Sequence, residues 1–292
     1  MEFAHYTLKG DHMNGAHHRW IQPPQVAYFV STVDSKGNGN VTPVTMGTCI
    51  GNQFFSFTLS NLRERAWDQD ENDFTEGVKQ GYCNLLDVPE CVISYYDHSL
   101  VRESWIAAMP IPKGINELDV MGLTPLPSTI VRPDGIAQCP INLEAKVLHT
   151  HKLGAKWTNF ICEIVHVAVD KKLDEANRTG PRAGYGSGIL DLVFEVVINK
   201  GGTPDTDNMR LVYERLDPKT NERCPEDVGV RDEWIGGFEP FVREQCGRGK
   251  ITDAEMARIF DLQELWAQNR DPVSNAAVKA ELTALLKKSV AL

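Results

Sequence analysis

The feature that most constrains the fold is a succession of short runs rich in β-branched and aromatic residues, separated by turn-forming residues. Residues 26–33 read VAYFVSTV, and the next seven, DSKGNGN, contain an Asn-Gly pair that is typical of a tight turn. Two further runs of the same kind follow at 41–51 and 53–60. This pattern predicts a β-meander near the start of the chain.

The middle of the chain continues the strand pattern with small helical inserts. Residues 78–97, VKQGYCNLLDVPECVISYYD, predict a short helix, a proline stop and a strand. Long strands are expected at 141–153 and 158–173, and one more at 189–199. The 160–170 run has apolar residues at both odd and even positions, so both of its faces are expected to be covered.

Two segments between these strands are expected to be irregular. The charged run 61–77 predicts a surface loop or a short surface helix, and the Gly-bearing run 174–188 predicts a loop. The first 19 residues are polar and His-rich, which indicates an N-terminal arm.

The end of the chain has a helical pattern. Residues 252–255, TDAE, form a capping-box sequence, and Asp271 with Pro272 is expected to open a second helix. Apolar residues recur at near-helical spacing in both helices, at Ile259, Leu262, Leu265, Trp266, Val278, Leu282, Leu285 and Leu286.

These patterns predict a mainly β fold, a barrel or a sandwich, with short helical inserts and a C-terminal helical extension. We divide the chain into an arm at 1–19, a β domain at 20–199, and a polar connection with helices at 200–292.

Composition excludes several classes of protein. No apolar run is long enough for a transmembrane helix, and the first 20 residues lack the apolar core of a signal peptide, so we expect a cytoplasmic protein. The seven cysteines include no Cys-x-x-Cys pair and are expected to be reduced, mostly buried thiols. A net charge of −10 disfavours nucleic acid and anionic membranes as partners.

Several local motifs allow a functional and a plain interpretation. AGYGSG at 183–188 could hold a phosphate, but a strand rather than a helix is expected after it, which favours a flexible loop. His149 and His151 share one face of a predicted strand and could bind a metal, but no third ligand is evident, so no metal site is expected. Ser187 does not fit a nucleophile elbow, and the acidic residues Asp70, Glu71 and Asp73 are interpreted as a solvated run.

Four segments together resemble the flavin reductase-like family, an FMN-binding split β-barrel. They are STVDSKGNGNVTPVTMGTCIG at 31–51, VKQGYCNLLDVPECVIS at 78–94, AAMPIPKGINELDVMGLTP at 107–125 and FICEIVHVAVD at 160–170. The resemblance covers about residues 20–198. It implies that the 112–124 segment is a partly helical excursion between barrel strands, close to the flavin; its matching residues are Pro112, Gly114, Glu117, Gly122, Leu123 and Thr124.

The resemblance also implies the residues that hold the cofactor. Thr45 would contact the FMN phosphate with its hydroxyl, and Lys79 would supply a cation. The remaining cofactor-binding residues that the resemblance implies are Met46, Thr48, Cys49, Gly81 and Asn84.

The chain departs from the family pattern at several positions. Gln80 and Gly81 replace the Asp and Thr that follow the family's Lys, Trp157 replaces a His, Cys162 replaces a Gly, and Gln25 replaces an Arg. Arg63 and Arg65 in the charged insert could supply a missing phosphate contact, although a solvated insert is the alternative.

The function that follows from the resemblance is an FMN-dependent oxidoreductase in which NAD(P)H delivers hydride to the flavin. Because the cofactor carries this chemistry, no catalytic side chain is named. Two alternatives stay open: a split-barrel enzyme for a dedicated small organic substrate, and a non-catalytic flavin-binding electron carrier. A homodimer is expected, since split barrels of this family usually pair.

The C-terminal helices are expected to be an addition to a self-sufficient barrel. Their apolar stripes would then pack on a neighbouring subunit or on the rim of the flavin pocket, and the alternative is that they complete the core of their own subunit.

Overall fold

The computed structural model describes residues 2, 25–60, 79–109, 111–153, 157–179, 193–199, 209–215, 229–231 and 238–291. The strands are β1 Gln25–Val26, β2 Tyr28–Val33, β3 Gly39–Val44, β4 Gly47–Cys49, β5 Phe54–Ser60, β6 Glu90–Tyr95, β7 Pro125–Leu126, β8 Gly135–Ile136, β9 Ile141–Leu153, β10 Trp157–Val169, β11 Val193–Asn199, β12 Met209–Arg215 and β13 Gly229–Arg231. The α-helices are α1 Gln80–Asp87, α2 Val101–Ala107, α3 Glu117–Met121, α4 Lys171–Thr179, α5 Phe238–Gly247, α6 Asp253–Gln268 and α7 Ala276–Ser289.

The main sheet has seven strands in the order β3-β2-β6-β9-β10-β5-β4, and every pairing in it is antiparallel. Its two end strands, β3 and β4, are consecutive in the chain and are joined only by Thr45 and Met46. The sheet must therefore curl until its ends come together, and the N–H of Thr58 on β5 donates to the carbonyl of Met46 at 2.8 Å, which extends the β4–β5 pairing into this connection. This is the predicted mainly β split barrel.

The interior of the curled sheet is one of two apolar cores. Alternation along β2 places Tyr28 and Val30 in this core and Phe29 on the opposite face, and all three side chains are buried. Helix α1 contributes Leu85 to the same interior. Both faces of β2 are thus covered, which explains its continuous run of apolar and small residues.

The second core lies between the outer face of the sheet and the helices. It joins Phe29 and Val41 to residues of the 106–121 segment and to the C-terminal helices, where Trp266, Leu282 and Leu286 are each at most 1% exposed. The apolar stripes of α6 and α7 therefore complete the core of their own subunit. The alternative that they complete the core of their own subunit is the one observed, and the barrel's outer face together with the 106–121 segment supplies the apolar partner.

Several elements differ from the sequence prediction. Residues 171–179 form α4 rather than the end of a strand followed by a loop, because Asp170 accepts N–H bonds from Lys172 and Leu173 as a cap and no Gly or Pro interrupts the run. Strands β12 and β13 lie in the polar connection; β13 pairs with β12, β12 with β11, and β11 with β1.

The second C-terminal helix begins later than predicted. Asp271 accepts the N–H of Ser274 at 2.7 Å and so forms a separate turn, and α7 starts only at Ala276. The capping box at Thr252 and Glu255 is confirmed, with both reciprocal bonds present. None of the helices in the described residues combines the length and the hydropathy that crossing a bilayer requires.

Some predictions concern residues outside the described ranges. These are the N-terminal arm, the charged insert with Arg63 and Arg65, the acidic run at 70–73 and the Gly-bearing run 183–188. The 160–170 strand is covered only in part, since Val167 is 51% exposed beyond the end of the interior core. Of the described cysteines, Cys91, Cys139 and Cys162 are buried thiols, whereas Cys49 and Cys83 are exposed and not buried as expected.

Candidate functional site

Helix α1 covers the end of the barrel at which β2 finishes and β3 begins. It starts directly after Lys79 and ends before Pro89, and it packs on both strands. Leu85 enters the apolar interior, and the ring of Tyr82 packs edge-on against Phe160 at 6.1 Å. The remaining inward-facing positions of α1 contact polar side chains.

These polar side chains come from the ends of β2 and β3. Asn84 of α1 is 3% exposed and donates to the Thr32 hydroxyl at 3.2 Å. The Thr42 hydroxyl donates to Asn40 Oδ1 at 3.1 Å. A Cβ on Gly81 would lie 2.8 Å from Asn40 Oδ1 and 3.0 Å from Thr42 Oγ1, so this helix position has room only for glycine.

Glu117 fixes this polar cluster from the other side. The short helix α3 is capped by Asn116, whose side chain accepts the N–H of Leu118, and it ends at Gly122. Its first residue, Glu117, is 5% exposed and accepts from Asn40 Nδ2 at 2.7 Å and from the Val41 N–H at 2.8 Å. The 112–124 excursion is therefore tied to β3 by a buried carboxylate.

Thr45, Met46, Thr48 and Cys49 lie where β3 passes into β4. Thr45 and Met46 are half-buried at the junction, whereas Thr48 and Cys49 are exposed. Within the described residues β4 pairs only with β5, so its second edge presents unpaired backbone N–H and C=O groups. Desolvation by neighbouring atoms raises the pKa of the Cys49 thiol above its usual value, although the side chain as a whole is exposed.

A buried hydroxyl lies directly beneath β4. A Cβ on Gly47 would collide with the Tyr28 hydroxyl and would lie 2.6 Å from the Ser56 carbonyl. That hydroxyl has no hydrogen-bond partner among the described residues, and burial raises the pKa of Tyr28 well above its usual value. The interior face of β4 is thus closely packed, and only its outer face and free edge are open.

The structure sorts the sequence-predicted residues into two groups linked by β3. Gly81 and Asn84 contact β3 or β2 through the polar cluster, while Thr45 follows Thr42 by three residues, about 10 Å along the strand. Asn84 already uses its amide to anchor α1. Lys79 sits at the helix N-terminus, half-buried, next to the 61–78 segment that lies outside the described residues.

Sequence reasoning missed Thr32, Asn40 and Thr42. Their signal was present, because Thr32 shares strand parity with Tyr28 and Val30, and Asn40 and Thr42 share it with Val44, all of which face the interior. Polar residues at inward positions of a strand are typical of a site or of a buried network. Among the departures from the family pattern, Gln80 accepts the Gly114 N–H at 2.7 Å.

The donor set fits a phosphate-bearing flavin. The N-terminus of α1 presents backbone N–H groups with a partial positive charge, and Lys79 adds a cation. No group of three His, Cys, Asp or Glu side chains suited to a metal occurs within the described ranges. His149 and His151 do share a face, with ring centroids 6.2 Å apart, and both are exposed.

Comparison with known proteins places these features in a family. The sequence model of the flavin reductase like domain matches residues 24–188, which contain all seven strands of the main sheet, α1 and the 112–124 excursion. A protein of Aquifex aeolicus, described only as uncharacterized, is 25% identical over 126 residues, which are 42% of this chain and 59% of that protein.

Two solved structures are similar in fold. Nitrilotriacetate monooxygenase component B from Bacillus cereus superposes with a TM-score of 0.53 at 17% identity, over 66% of this chain and 92% of that one. The 2-nitrobenzoate 2-nitroreductase NbaA of Pseudomonas fluorescens gives a TM-score of 0.51 at 15% identity, over 72% of this chain and 91% of that one.

Proposed function

The chain belongs to the flavin reductase-like domain family of flavin-related oxidoreductases, and we propose that it binds FMN and uses NAD(P)H to reduce it. The observation that carries the proposal is the arrangement on β3. This strand contacts the N-terminal turn of α1 and continues through Thr45 into the open edge of β4. One strand therefore connects a site suited to a phosphate with a backbone edge suited to a flat polar ring.

The phosphate end of FMN would lie at the start of α1. There the Lys79 ammonium and the backbone N–H groups of the first helical turn favour a dianion, whereas Thr45 lies about 10 Å farther along β3 than Thr42, which this turn contacts. Gly81 allows the helix backbone to approach β3 closely, which holds this turn in place.

The ring end would lie along Met46, Thr48 and Cys49. The free edge of β4 offers donors and acceptors to the polar rim of a flavin, and the packed Tyr28 and Gly47 beneath it keep that edge rigid. When bound, FMN supplies the two-electron chemistry between a nicotinamide nucleotide and an acceptor. The protein's part is to bind and orient the two molecules and to exclude water.

The binding part of the proposal is tested by titration of the protein with FMN, FAD and riboflavin. We expect FMN to bind most tightly, because the site recognises a terminal phosphate. Lys79→Met should weaken FMN binding by about 1–3 kcal/mol and leave riboflavin binding nearly unchanged. Lys171→Met, at an exposed position on α4, is the matched control and should change neither affinity. Equal FMN affinity for Lys79→Met and the parent would refute the assignment.

A second candidate is an enzyme for a dedicated small organic substrate. It is favoured by the C-terminal helices, because Trp266 of α6 donates to the Lys113 carbonyl at 2.5 Å and so reaches the excursion beside the site. A protein with a similar fold, NbaA, is described as a nitroreductase acting on 2-nitrobenzoate. NAD(P)H oxidation that requires a nitroaromatic or other small acceptor, and does not proceed with free flavin, would favour this candidate over a flavin reductase.

We also propose that the protein is a homodimer. From Leu148 to Leu153 the described part of β9 pairs only with β10, and every residue of this stretch is exposed, including both leucines. An open strand edge with exposed apolar residues is suited to association with a second copy. Sedimentation should give twice the chain mass of 32.6 kDa, and a monomer at micromolar concentration would contradict the proposal.

A further inference from the structure

Trp266 connects the C-terminal helices to the excursion that borders the site. Its side chain is 1% exposed, and its indole N–H donates to the Lys113 carbonyl at 2.5 Å. The ring also lies against Gly114, where an added Cβ would be 2.8 Å from the indole. Gly114 has a φ of 86°, so a side chain there would be strained as well as obstructed.

Gly114 in turn contacts the first residue of α1. Its N–H donates to Gln80 Oε1 at 2.7 Å, and Gln80 directly follows Lys79. The family pattern has an acidic residue at the position of Gln80, whereas this chain has a neutral side chain that is oriented by a backbone donor. A continuous path of two hydrogen bonds and one packing contact thus runs from α6 to the N-terminus of α1.

Trp266 is itself held from several directions. Helix α6 begins with the Thr252 and Glu255 capping box, and the Lys279 ammonium of α7 lies 5.7 Å from the centre of the indole ring. Lys279 also donates to Asn38 Oδ1 at 3.2 Å, in the turn between β2 and β3. The indole is therefore fixed relative to the same strands on which α1 rests.

We infer that Trp266 is a positioning residue for the phosphate end of the flavin, acting through Lys113, Gly114 and Gln80 on the first turn of α1. The inference rests on the proposed FMN site. The matched family region ends at residue 188, so this link is supplied by a part of the chain that the family region does not contain. The C-terminal helices then contribute to cofactor affinity as well as to the core.

The test compares phosphate recognition with overall stability. Trp266→Phe removes the indole N–H but keeps an aromatic ring, and Gln80→Leu removes the acceptor of the Gly114 N–H. We expect each variant to weaken FMN binding roughly two- to tenfold, as for the loss of one net hydrogen bond, while the affinity for riboflavin, which has no phosphate, stays unchanged. The double variant should lose less than the product of the two single losses, because both act on one path.

The matched control is Ile259→Val, a buried residue of α6 in the same core. It should reduce thermal stability without changing the ratio of FMN to riboflavin affinity. If Trp266→Phe lowers stability and leaves that ratio unchanged, as Ile259→Val does, the inference is overturned while the FMN site stands. If the parent protein does not bind FMN, or Lys79→Met binds it as the parent does, the proposed site itself fails.

Discussion

At the scale of single residues, a few buried polar groups hold the site together. Glu117 and Asn84 each connect an element outside the sheet to the inward polar side chains of β2 and β3. Motif resemblance identified both positions. It could not show what they contact, because Thr32, Asn40 and Thr42 lie far from them in sequence, and strand parity indicates that these side chains face inward but not which residues they meet.

The Glu117 carboxylate is predicted to contribute more to the free energy of unfolding than an exposed carboxylate does. In Glu117→Gln one of the two acceptor oxygens becomes an NH2 group that faces the Asn40 amide or the Val41 N–H. We expect a loss of about 1–3 kcal/mol in the free energy of unfolding, measured by urea denaturation. Glu163→Gln, where the carboxylate accepts from the side chain of Gln53 at 3.1 Å in an exposed setting, should stay within about 0.5 kcal/mol of the parent. Equal stability of the two variants would contradict this account of Glu117.

A second buried carboxylate gives the protein a predicted pH dependence. Burial alone would raise the pKa of Glu144. The backbone N–H groups of Thr129, Ile130 and Val131 donate to its carboxylate, and His166 lies 4.0 Å away. Together these groups bring the pKa of Glu144 below the usual 4.5. A lowered folded-state pKa means that Glu144 contributes stability above pH 4.5 and that the contribution is lost as the pH falls through the folded-state pKa.

The urea midpoint of unfolding should be measured at pH values above and below 4.5. It should fall more steeply on acidification in the parent than in Glu144→Gln. The difference between the two proteins should be largest above pH 4.5 and should shrink below it. A constant difference at all pH values would show that the carboxylate charge has no part in the effect.

At the scale of elements, the sequence predicted strands well where apolar residues alternate along the chain and their side chains are buried on one face of the curled sheet. The sequence predicted the starts of helices less well, because these depend on short-range hydrogen bonds from capping side chains. Asp170 starts α4 in a run expected to be a loop, and Asp271 forms a turn that delays α7. In both cases a single aspartate side chain bonds to nearby N–H groups, and the sequence alone does not say whether a helix continues from such a cap.

The placement of α6 and α7 in the core predicts that removing these two helices will destabilise the barrel. Ile259, Leu262 and Trp266 share one core with Ile115 and Leu118, so a chain that ends near Lys250 would expose the outer face of the barrel. We expect such a chain to be insoluble or to lose its cooperative thermal transition, measured by circular dichroism. A soluble truncated chain with a cooperative transition would instead support a self-sufficient barrel.

At the scale of the whole molecule, the order of the strands could not be read from periodicity. The resemblance to a family predicted a split barrel but no strand order, and in the structure β3 and β4 are neighbours in the chain yet occupy opposite ends of the sheet. The start of α1 and the excursion both contact β3, and β3 continues through Thr45 and Met46 into β4. The C-terminal helices then connect to the same place through Trp266, which no family motif predicts.

The central claim is that this arrangement binds FMN and mediates its reduction by a nicotinamide nucleotide. The most direct measurement is the visible absorption of oxidised FMN with the purified protein, followed during anaerobic addition of NADH and, separately, NADPH. We expect the absorption to disappear with at least one nucleotide, at a rate that depends on the protein and falls in Lys79→Met. Absorption that persists with both nucleotides, or that fades no faster than with free FMN, would contradict the claim.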